Sequence, residues 1–157
     1  MDDPTRTGSL PDQKLDSYLP VRLSDLGVLL NRHWTAVLAP YGIVPMEFRL
    51  LSVLVQRGTG TAVEIAAVLP TDASFISRMV QRLAEKQMLA RRRSSSDRRI
   101  VTLRPTEAGH ELVRRLARRV QDMERDLVRG IPADELSRAG EAISAMIKNL
   151  EETKESL

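Results

Sequence analysis

The sequence predicts a mainly α-helical chain that contains one small β-hairpin. Aromatic residues make up only 3% of the 157 residues, so the core must be built from aliphatic side chains, and abundant Leu, Ala, Arg and Glu favour helix. Through most of the chain, apolar residues recur every three or four positions, but this period changes over residues 88–103. We therefore expect several helices interrupted by two short strands.

The first part of the chain is predicted to form an arm and two helices. Residues 1–14 are polar and include two prolines, which is typical of a flexible arm. One helix is expected from about Pro20 to Ala39 and another from about Pro45, because proline is tolerated in a first turn, where its missing N–H costs nothing. The second helix is expected to end at Gly58–Gly60.

The next two helices have the pattern of a helix-turn-helix. Thr61 and Glu64 have the spacing of a capping box and indicate a short helix. After a turn, Asp72 is a good N-cap for a longer helix that extends to about Lys86. A short helix, a tight turn and a longer helix are typical of this motif. The residues expected to face inward are Ile65, Val68, Leu69, Ile76, Met79 or Val80, and Leu83.

The change of period then predicts a β-hairpin. Residues 88–93 and 99–103 have the composition of short strands, and Ser94–Arg98 between them is rich in turn-forming residues. A hairpin that directly follows a helix-turn-helix is called a wing. The predicted fold is therefore a winged helix-turn-helix, mainly α with a small β-hairpin.

Two long helices are predicted after the hairpin, and each has a narrow apolar stripe. Together with the first helix, they carry more apolar surface than one small core needs, which favours helix pairing between two subunits. The alternative is a monomer in which these helices pack on their own domain. We expect a flexible arm over 1–14, a winged helix-turn-helix over 41–106, and a helical dimerisation region formed by 15–40 and 107–157.

The charge is unevenly distributed. The net charge is only +3, but the segment from Asp72 to Arg104 has nine basic and three acidic side chains, a net +6, so the remainder is net negative. A basic segment of this kind favours a polyanionic partner. An ordinary solvated surface would show the same charges.

The longer helix of the motif is the candidate DNA reader, because the major groove admits one α-helix. The candidate contacts on its outward side are Ser74, Phe75, Ser77, Arg78, Gln81 and Arg82. In the hairpin, Arg98 and Arg99 are further candidates, since an arginine can enter the electronegative minor groove. Asp97 repels phosphate, so we expect it to orient an arginine or to shape the turn. Plain solvated surfaces are the alternative for both elements.

Asp97–Arg98–Arg99, followed by Pro105–Gly109, resembles the wing signature of the multiple antibiotic resistance regulator (MarR) family. Residues 41–51 resemble the entry to the second helix of that family, and residues 72–83 resemble its recognition helix. The resemblance implies a homodimer that binds double-stranded DNA and represses genes until a small, often aromatic or phenolic, molecule releases it. Such a dimer should favour pseudo-palindromic DNA. The resemblance also implies that Arg99 is the minor-groove residue and Asp97 its partner.

The sequence departs from the family pattern at three positions. Val44 replaces a threonine cap and weakens the start of the second helix. Gln87 replaces the glycine that usually ends the recognition helix, so that helix must end without the favoured left-handed glycine. Pro105 replaces leucine, so the second strand must end there.

Other classes of function have little support. The chain has no cysteine, only two distant histidines, and none of the phosphate-loop, nucleophile-elbow or zinc-protease motifs, so we expect no enzyme, metal or cofactor. It has no apolar run long enough to cross a membrane and no signal peptide, which favours the cytoplasm. A module that keeps the fold and binds a ligand or protein without binding DNA is the remaining alternative.

An effector site is predicted near the junction of the first two helices, where relatives of this family have pockets. The candidate residues are His33, Trp34, Met46 and Arg49, with Arg49 pairing the carboxylate of an aromatic acid. Trp34 is equally suited to the core.

Overall fold

The computed structural model describes residues 15–93 and 100–154. Along the chain the elements are α1 (Leu19–Leu38), α2 (Pro45–Arg57), β1 (Gly60–Thr61), α3 (Ala62–Ala66), α4 (Ala73–Glu85), β2 (Leu89–Arg93), β3 (Val101–Pro105), α5 (Glu107–Leu127) and α6 (Ala133–Lys154). This mostly helical chain with a small antiparallel sheet confirms the predicted fold class.

By its internal contacts the chain divides into two compact units, one that ends at Val113 and one that begins at Arg114. The division falls inside α5, so α1 groups with the helix-turn-helix. The domain boundaries drawn from the sequence remain a prediction.

The core of the first unit is aliphatic, as the low aromatic content predicts. Its largest fully buried side chains come from α1 to α4 and β3, and include Leu50, Leu54, Ile65, Ile76 and Leu103. The inward residues predicted for the helix-turn-helix are buried, except Val68, for which the prediction was wrong. Because α3 ends at Ala66, Val68 lies beyond the helix and no longer follows its period, and its side chain is 40% exposed.

The sheet has three strands in the order β1-β3-β2, all antiparallel. The two-residue strand β1, which pairs Gly60 with Leu103, is too short to produce a sequence pattern and was not predicted. The second hairpin strand lies two residues later than expected and includes Pro105 opposite Leu89. Proline lacks only a donor, and the next cross-strand bond is made by the following residue, from the Thr106 N–H to the Met88 carbonyl (3.1 Å).

The helix starts follow the sequence closely. Thr61 Oγ1 accepts from the Glu64 N–H (3.3 Å), and Glu64 Oε2 accepts from the Thr61 N–H (2.6 Å), which confirms the predicted capping box. At the start of α2, valine offers no side-chain acceptor, so only the reciprocal bond forms, from the Val44 N–H to Glu47 Oε2 (3.2 Å). The weakened cap expected at this position is therefore real.

The helix α4 ends without a glycine, as the sequence requires. Gln87 itself adopts the left-handed conformation, with φ of 57°. The Gln87 N–H donates to the Ala84 carbonyl (2.9 Å) and the Met88 N–H donates to the Leu83 carbonyl (2.9 Å), which is the pair of bonds in a Schellman motif. The helix therefore has its usual ending, made by a residue that pays a steric cost.

The second unit contains most of α5 and all of α6. Leu116 is fully buried, but on α6 the apolar side chains Ile143, Ile147 and Leu150 are 42%, 52% and 72% exposed. Within the described ranges, no single helix is long and apolar enough to cross a membrane; Leu19–Tyr41 and Pro45–Arg57 meet that test only as a pair bent by 75°.

Candidate nucleic-acid interface

The helix α4 presents opposite faces to the core and to solvent. Ser74, Ser77, Arg78 and Gln81 are exposed and recur at i, i+3, i+4 and i+7, so they lie on one side of the helix. The other side of the helix is packed into the core and consists of Ile76, Met79, Val80 and Leu83. Phe75 is half-buried at the edge of the exposed side. Five of the six predicted α4 residues thus lie on or beside a continuous outward surface.

The first turn of α4 is held by Asp72. Its Oδ1 accepts from the Ser74 hydroxyl (2.5 Å) and from the Phe75 N–H (2.7 Å). The bonds from Ser74 and Phe75 hold the pKa of the Asp72 carboxyl below its usual value, so the cap stays ionised at neutral pH. A charged cap also suits the positive end of the helix dipole.

Two further contacts pre-orient side chains of the outward face. The Arg78 guanidinium lies over the Phe75 ring, 5.6 Å from its centroid, a cation–π arrangement. Gln81 Nε2 donates to Glu85 Oε1 at 3.0 Å. Both contacts restrict side chains that otherwise lose rotamer entropy on binding.

Arg82 differs from the other candidates. Its Nε donates to Oε1 of Glu47, a residue of α2 that is only 1% exposed. The neighbouring Lys86 Nζ donates to the other oxygen of this carboxylate at 3.1 Å. Burial alone would raise the pKa of Glu47, but the bonds from Arg82, Lys86 and Val44 outweigh it and hold the pKa below the usual value.

The strand β2 adds a basic surface. Arg91, Arg92 and Arg93 are all exposed, and β2 pairs with β3 so that Arg93 lies opposite Val101. The predicted wing residues Asp97, Arg98 and Arg99 lie outside the described residues.

A surface cleft opens beside the outward face of α4. It has a volume of about 460 Å³ and is lined by residues that include Val63, Ser77, Val80, Arg91 and Val101.

The family-like signature after the wing has a clear structural role. Thr106 Oγ1 accepts from the Gly109 N–H (3.2 Å) and donates to the Gln87 carbonyl (2.6 Å), so it ties the start of α5 to the end of α4. At Gly109 the helix approaches the chain so closely that a Cβ atom would lie 2.3 Å from the Met88 carbonyl oxygen. The threonine is therefore required for its hydrogen bonds and the glycine for the close approach of the backbone, which the sequence alone did not reveal.

The four predicted effector residues all lie in the first unit. Trp34 is half-buried and packs on Phe48 of α2, with ring centroids 5.7 Å apart, so it contributes to the α1–α2 packing. His33 and Arg49 are exposed and Met46 is half-buried. None of the four lines the cleft beside α4. No group of three or more His, Cys, Asp or Glu suited to a metal ion occurs in the part of the chain that the structure describes.

Sequence reasoning missed Glu47 as a residue of this site. A glutamate at the third position of a helix is the usual partner in a capping box, and that signal was available. Its ion pairs with Arg82 and Lys86 join positions 35 and 39 residues apart, which one sequence does not connect.

The described geometry is that of a winged helix-turn-helix: a short helix, a second helix with an exposed polar face, and an antiparallel pair of strands with exposed arginines. Known proteins agree with this class. The MarR family model matches residues 43–101. The multiple antibiotic resistance protein MarR of Salmonella typhimurium is 30% identical over 110 residues, 69% of this chain and 74% of that protein. An uncharacterized HTH-type transcriptional regulator of Bacillus subtilis, YpoP, is 37% identical over 67 residues, and the chain spans only 48% of its length.

Solved structures give the same result. The crystal structure of a mutant Escherichia coli MarR complexed with operator DNA superposes with a TM-score of 0.75 at 25% identity, covering 85% of this chain and 99% of that one. The chain therefore belongs to the MarR family of transcriptional regulators.

Proposed function

We propose that the protein is a homodimeric, sequence-specific double-stranded DNA-binding regulator that acts in the cytoplasm as a repressor. The observation that carries the proposal is the outward face of α4, where Ser74, Ser77, Arg78 and Gln81 are exposed on one side of a helix whose opposite side is fully packed. Hydroxyl, amide and guanidinium groups suit base edges and phosphates in a major groove. The arginines of β2 supply positive charge next to this face.

Duplex-DNA binding at a series of salt concentrations tests this function. Each neutralised phosphate releases counterions, so the logarithm of the association constant should fall steeply and linearly with the logarithm of salt concentration. Duplexes selected from a random pool should contain pseudo-palindromes with half-sites about one helical turn apart. Failure to bind any duplex at low salt, or a flat salt dependence, would instead favour a module that keeps this fold and binds a ligand or protein.

In this function Arg99 enters the minor groove, Asp97 orients it and Arg98 contacts phosphate. The paired strands β2 and β3, which precede and follow these residues in sequence, support a hairpin here. Arg99→Ala should weaken DNA binding by about 1–3 kcal/mol. Arg138→Ala, which removes the same charge from an exposed α6 residue paired with Asp134, is the matched control. Equal affinities for the two variants would remove Arg99 from the interface.

The dimer is supported by apolar side chains that a single chain leaves in contact with solvent. In the first unit Leu19 and Leu29 of α1 are 49% and 59% exposed, and in the second unit Ile147 and Leu150 of α6 are more than half exposed. On α6, Ile143, Ile147 and Leu150 recur at i, i+4 and i+7 and so share one side of the helix, and contiguous apolar surface of this kind marks association surfaces. Sedimentation equilibrium should give a dimer, and Leu150→Glu should shift it toward monomer, whereas Glu151→Gln on the exposed surface should not. A wild-type monomer at micromolar concentration would contradict the proposal.

An aromatic acid is proposed to release the DNA by binding near His33, Trp34, Met46 and Arg49. The exposed Arg49 can pair a carboxylate, and Trp34, the one tryptophan of the chain, is half-buried at the α1–α2 packing and so can report on binding. Titration with salicylate should change Trp34 fluorescence and reduce DNA binding, and Arg49→Gln should weaken both effects. Unchanged fluorescence and unchanged DNA binding would remove this site.

A further inference from the structure

Glu47 is the one charged side chain that is buried among the residues described by the structure. A buried carboxylate is costly unless its oxygens are paired and hydrogen-bonded. Here both oxygens are occupied: Oε1 by the guanidinium of Arg82, and Oε2 by Lys86 Nζ (3.1 Å) and the Val44 N–H (3.2 Å). The Glu47 carboxylate is therefore a fully satisfied link between α2 and α4.

The two side chains that pair with Glu47 lie on the flank of α4. Arg82 and Lys86 are four residues apart, so they share one side of the helix. At 100° per residue this side lies between the buried stripe of Ile76, Met79, Val80 and Leu83 and the outward face that begins at Ser74. Lys86 Nζ also donates to the Gly42 carbonyl, in the turn that precedes α2.

A contact on the flank of a helix resists rotation of that helix about its own axis. The apolar stripe alone resists it weakly, because aliphatic contacts are not directional, whereas ion pairs with hydrogen-bond geometry fix both distance and direction. A small rotation of α4 would displace the Ser77 and Arg78 side chains relative to a groove that they contact.

We propose that Glu47 is a positioning residue for DNA recognition: through Arg82 and Lys86 it fixes the rotation of α4, so that the outward face meets the bases in register. Arg82 then acts through Glu47 and not through a phosphate. This inference rests on the proposed DNA-binding function and assigns to it a residue that never touches DNA.

The test compares two duplexes: one selected from a random pool by the wild-type protein, and one of the same composition with a scrambled order. Glu47→Gln should weaken binding to the selected duplex by roughly 5- to 30-fold, an effect similar to loss of one base contact. Binding to the scrambled duplex should not weaken, and it should change no more than in a control variant that also loses one negative charge, because phosphate contacts do not need an exact rotation of α4. The salt dependence should stay unchanged.

The matched control is Glu124→Gln, the same chemical change at an exposed residue of α5 that has no part in the outward face of α4. Both variants remove one negative charge, and charge alone would strengthen DNA binding in both. A loss of affinity in Glu47→Gln alone therefore has the opposite sign to the charge effect. The active fraction of each variant, measured by stoichiometric titration, separates misfolding from a true change in affinity.

Arg82→Met tests the second part of the proposal. If Arg82 held a phosphate, the variant would bind both duplexes more weakly and the salt slope would fall by about one. If Arg82 acts through Glu47, the variant should weaken binding to the selected duplex only. The double variant Glu47→Gln/Arg82→Met should then bind the selected duplex no more weakly than either single variant does.

Two results would overturn the positioning role and leave DNA binding intact. One is a folded Glu47→Gln variant that binds the selected duplex with wild-type affinity, and the other is a double variant whose loss of binding free energy is the sum of the two single losses. Failure of the wild-type protein to bind duplex DNA would overturn both proposals.

Discussion

Replacing Gln87 by glycine is expected to stabilise the protein. Gln87 lies at the end of α4 with φ of 57°, where its Cβ crowds the backbone, and its side chain is exposed. The left-handed conformation costs a non-glycine residue about 1–2 kcal/mol. Glycine removes this cost but loses about 0.5–1 kcal/mol more conformational entropy on folding. The net expected gain in the free energy of unfolding is about 0.5–1 kcal/mol.

The gain is measurable by thermal and urea unfolding at one fixed protein concentration. For a chain of this size, 1 kcal/mol corresponds to a Tm shift of roughly 2–4 °C, so the glycine variant should melt about 1–4 °C higher. Gln87→Ala is the control, because it removes the same exposed side chain but keeps the Cβ atom. If the glycine variant is no more stable than the alanine variant, the left-handed conformation of Gln87 does not destabilise the folded protein and the reasoning is refuted.

Three other predictions concern the surroundings of α4. Gly109→Ala should destabilise the protein by about 1–3 kcal/mol in urea unfolding, because its Cβ would lie 2.3 Å from the Met88 oxygen, and a neutral effect would contradict this close approach. Thr106→Val keeps the side-chain shape but removes two hydrogen bonds, one to the Gln87 carbonyl and one from the Gly109 N–H, and should cost about 1–2 kcal/mol by the same measurement. Glu47→Gln should cost about 1–3 kcal/mol at neutral pH, because its buried amide N–H₂ group would face at least one donor in either orientation: Arg82 on one side, or Lys86 and the Val44 N–H on the other. The pKa of Glu47 is lower in the folded state than its ordinary value of 4.5. The ionised carboxylate therefore contributes to the free energy of unfolding at pH values above 4.5, and this contribution is lost as the pH falls through the folded pKa. Wild-type and Glu47→Gln stabilities should therefore converge in acid, and a constant difference down to acid pH would argue against the ion pair.

The sequence by itself determined the helices, the two strands β2 and β3, and their order. Local signals controlled these features: the prolines that begin α1 and α2, the Thr61–Glu64 capping box, the Asp72 cap and the 3.6-residue period of the buried stripe on α4. Each involves residues within one or two turns of each other, so a single sequence contains the whole interaction. The outward face of α4 followed directly from the same period, and the MarR resemblance added the family.

Only the tertiary structure decided how these elements are fixed to each other. The two-residue strand β1 exists because Gly60 meets Leu103, and no local pattern indicates such a pairing. Gln87 adopts a left-handed conformation because the hydrogen bond from Thr106 and the Schellman bonds hold the backbone there, although a glutamine by itself prefers a negative φ. Arg82, an apparent DNA contact in the sequence, is engaged by a buried Glu47. Contacts between distant positions determine all three, and such contacts are formed when the chain folds and are not contained in any short segment of it.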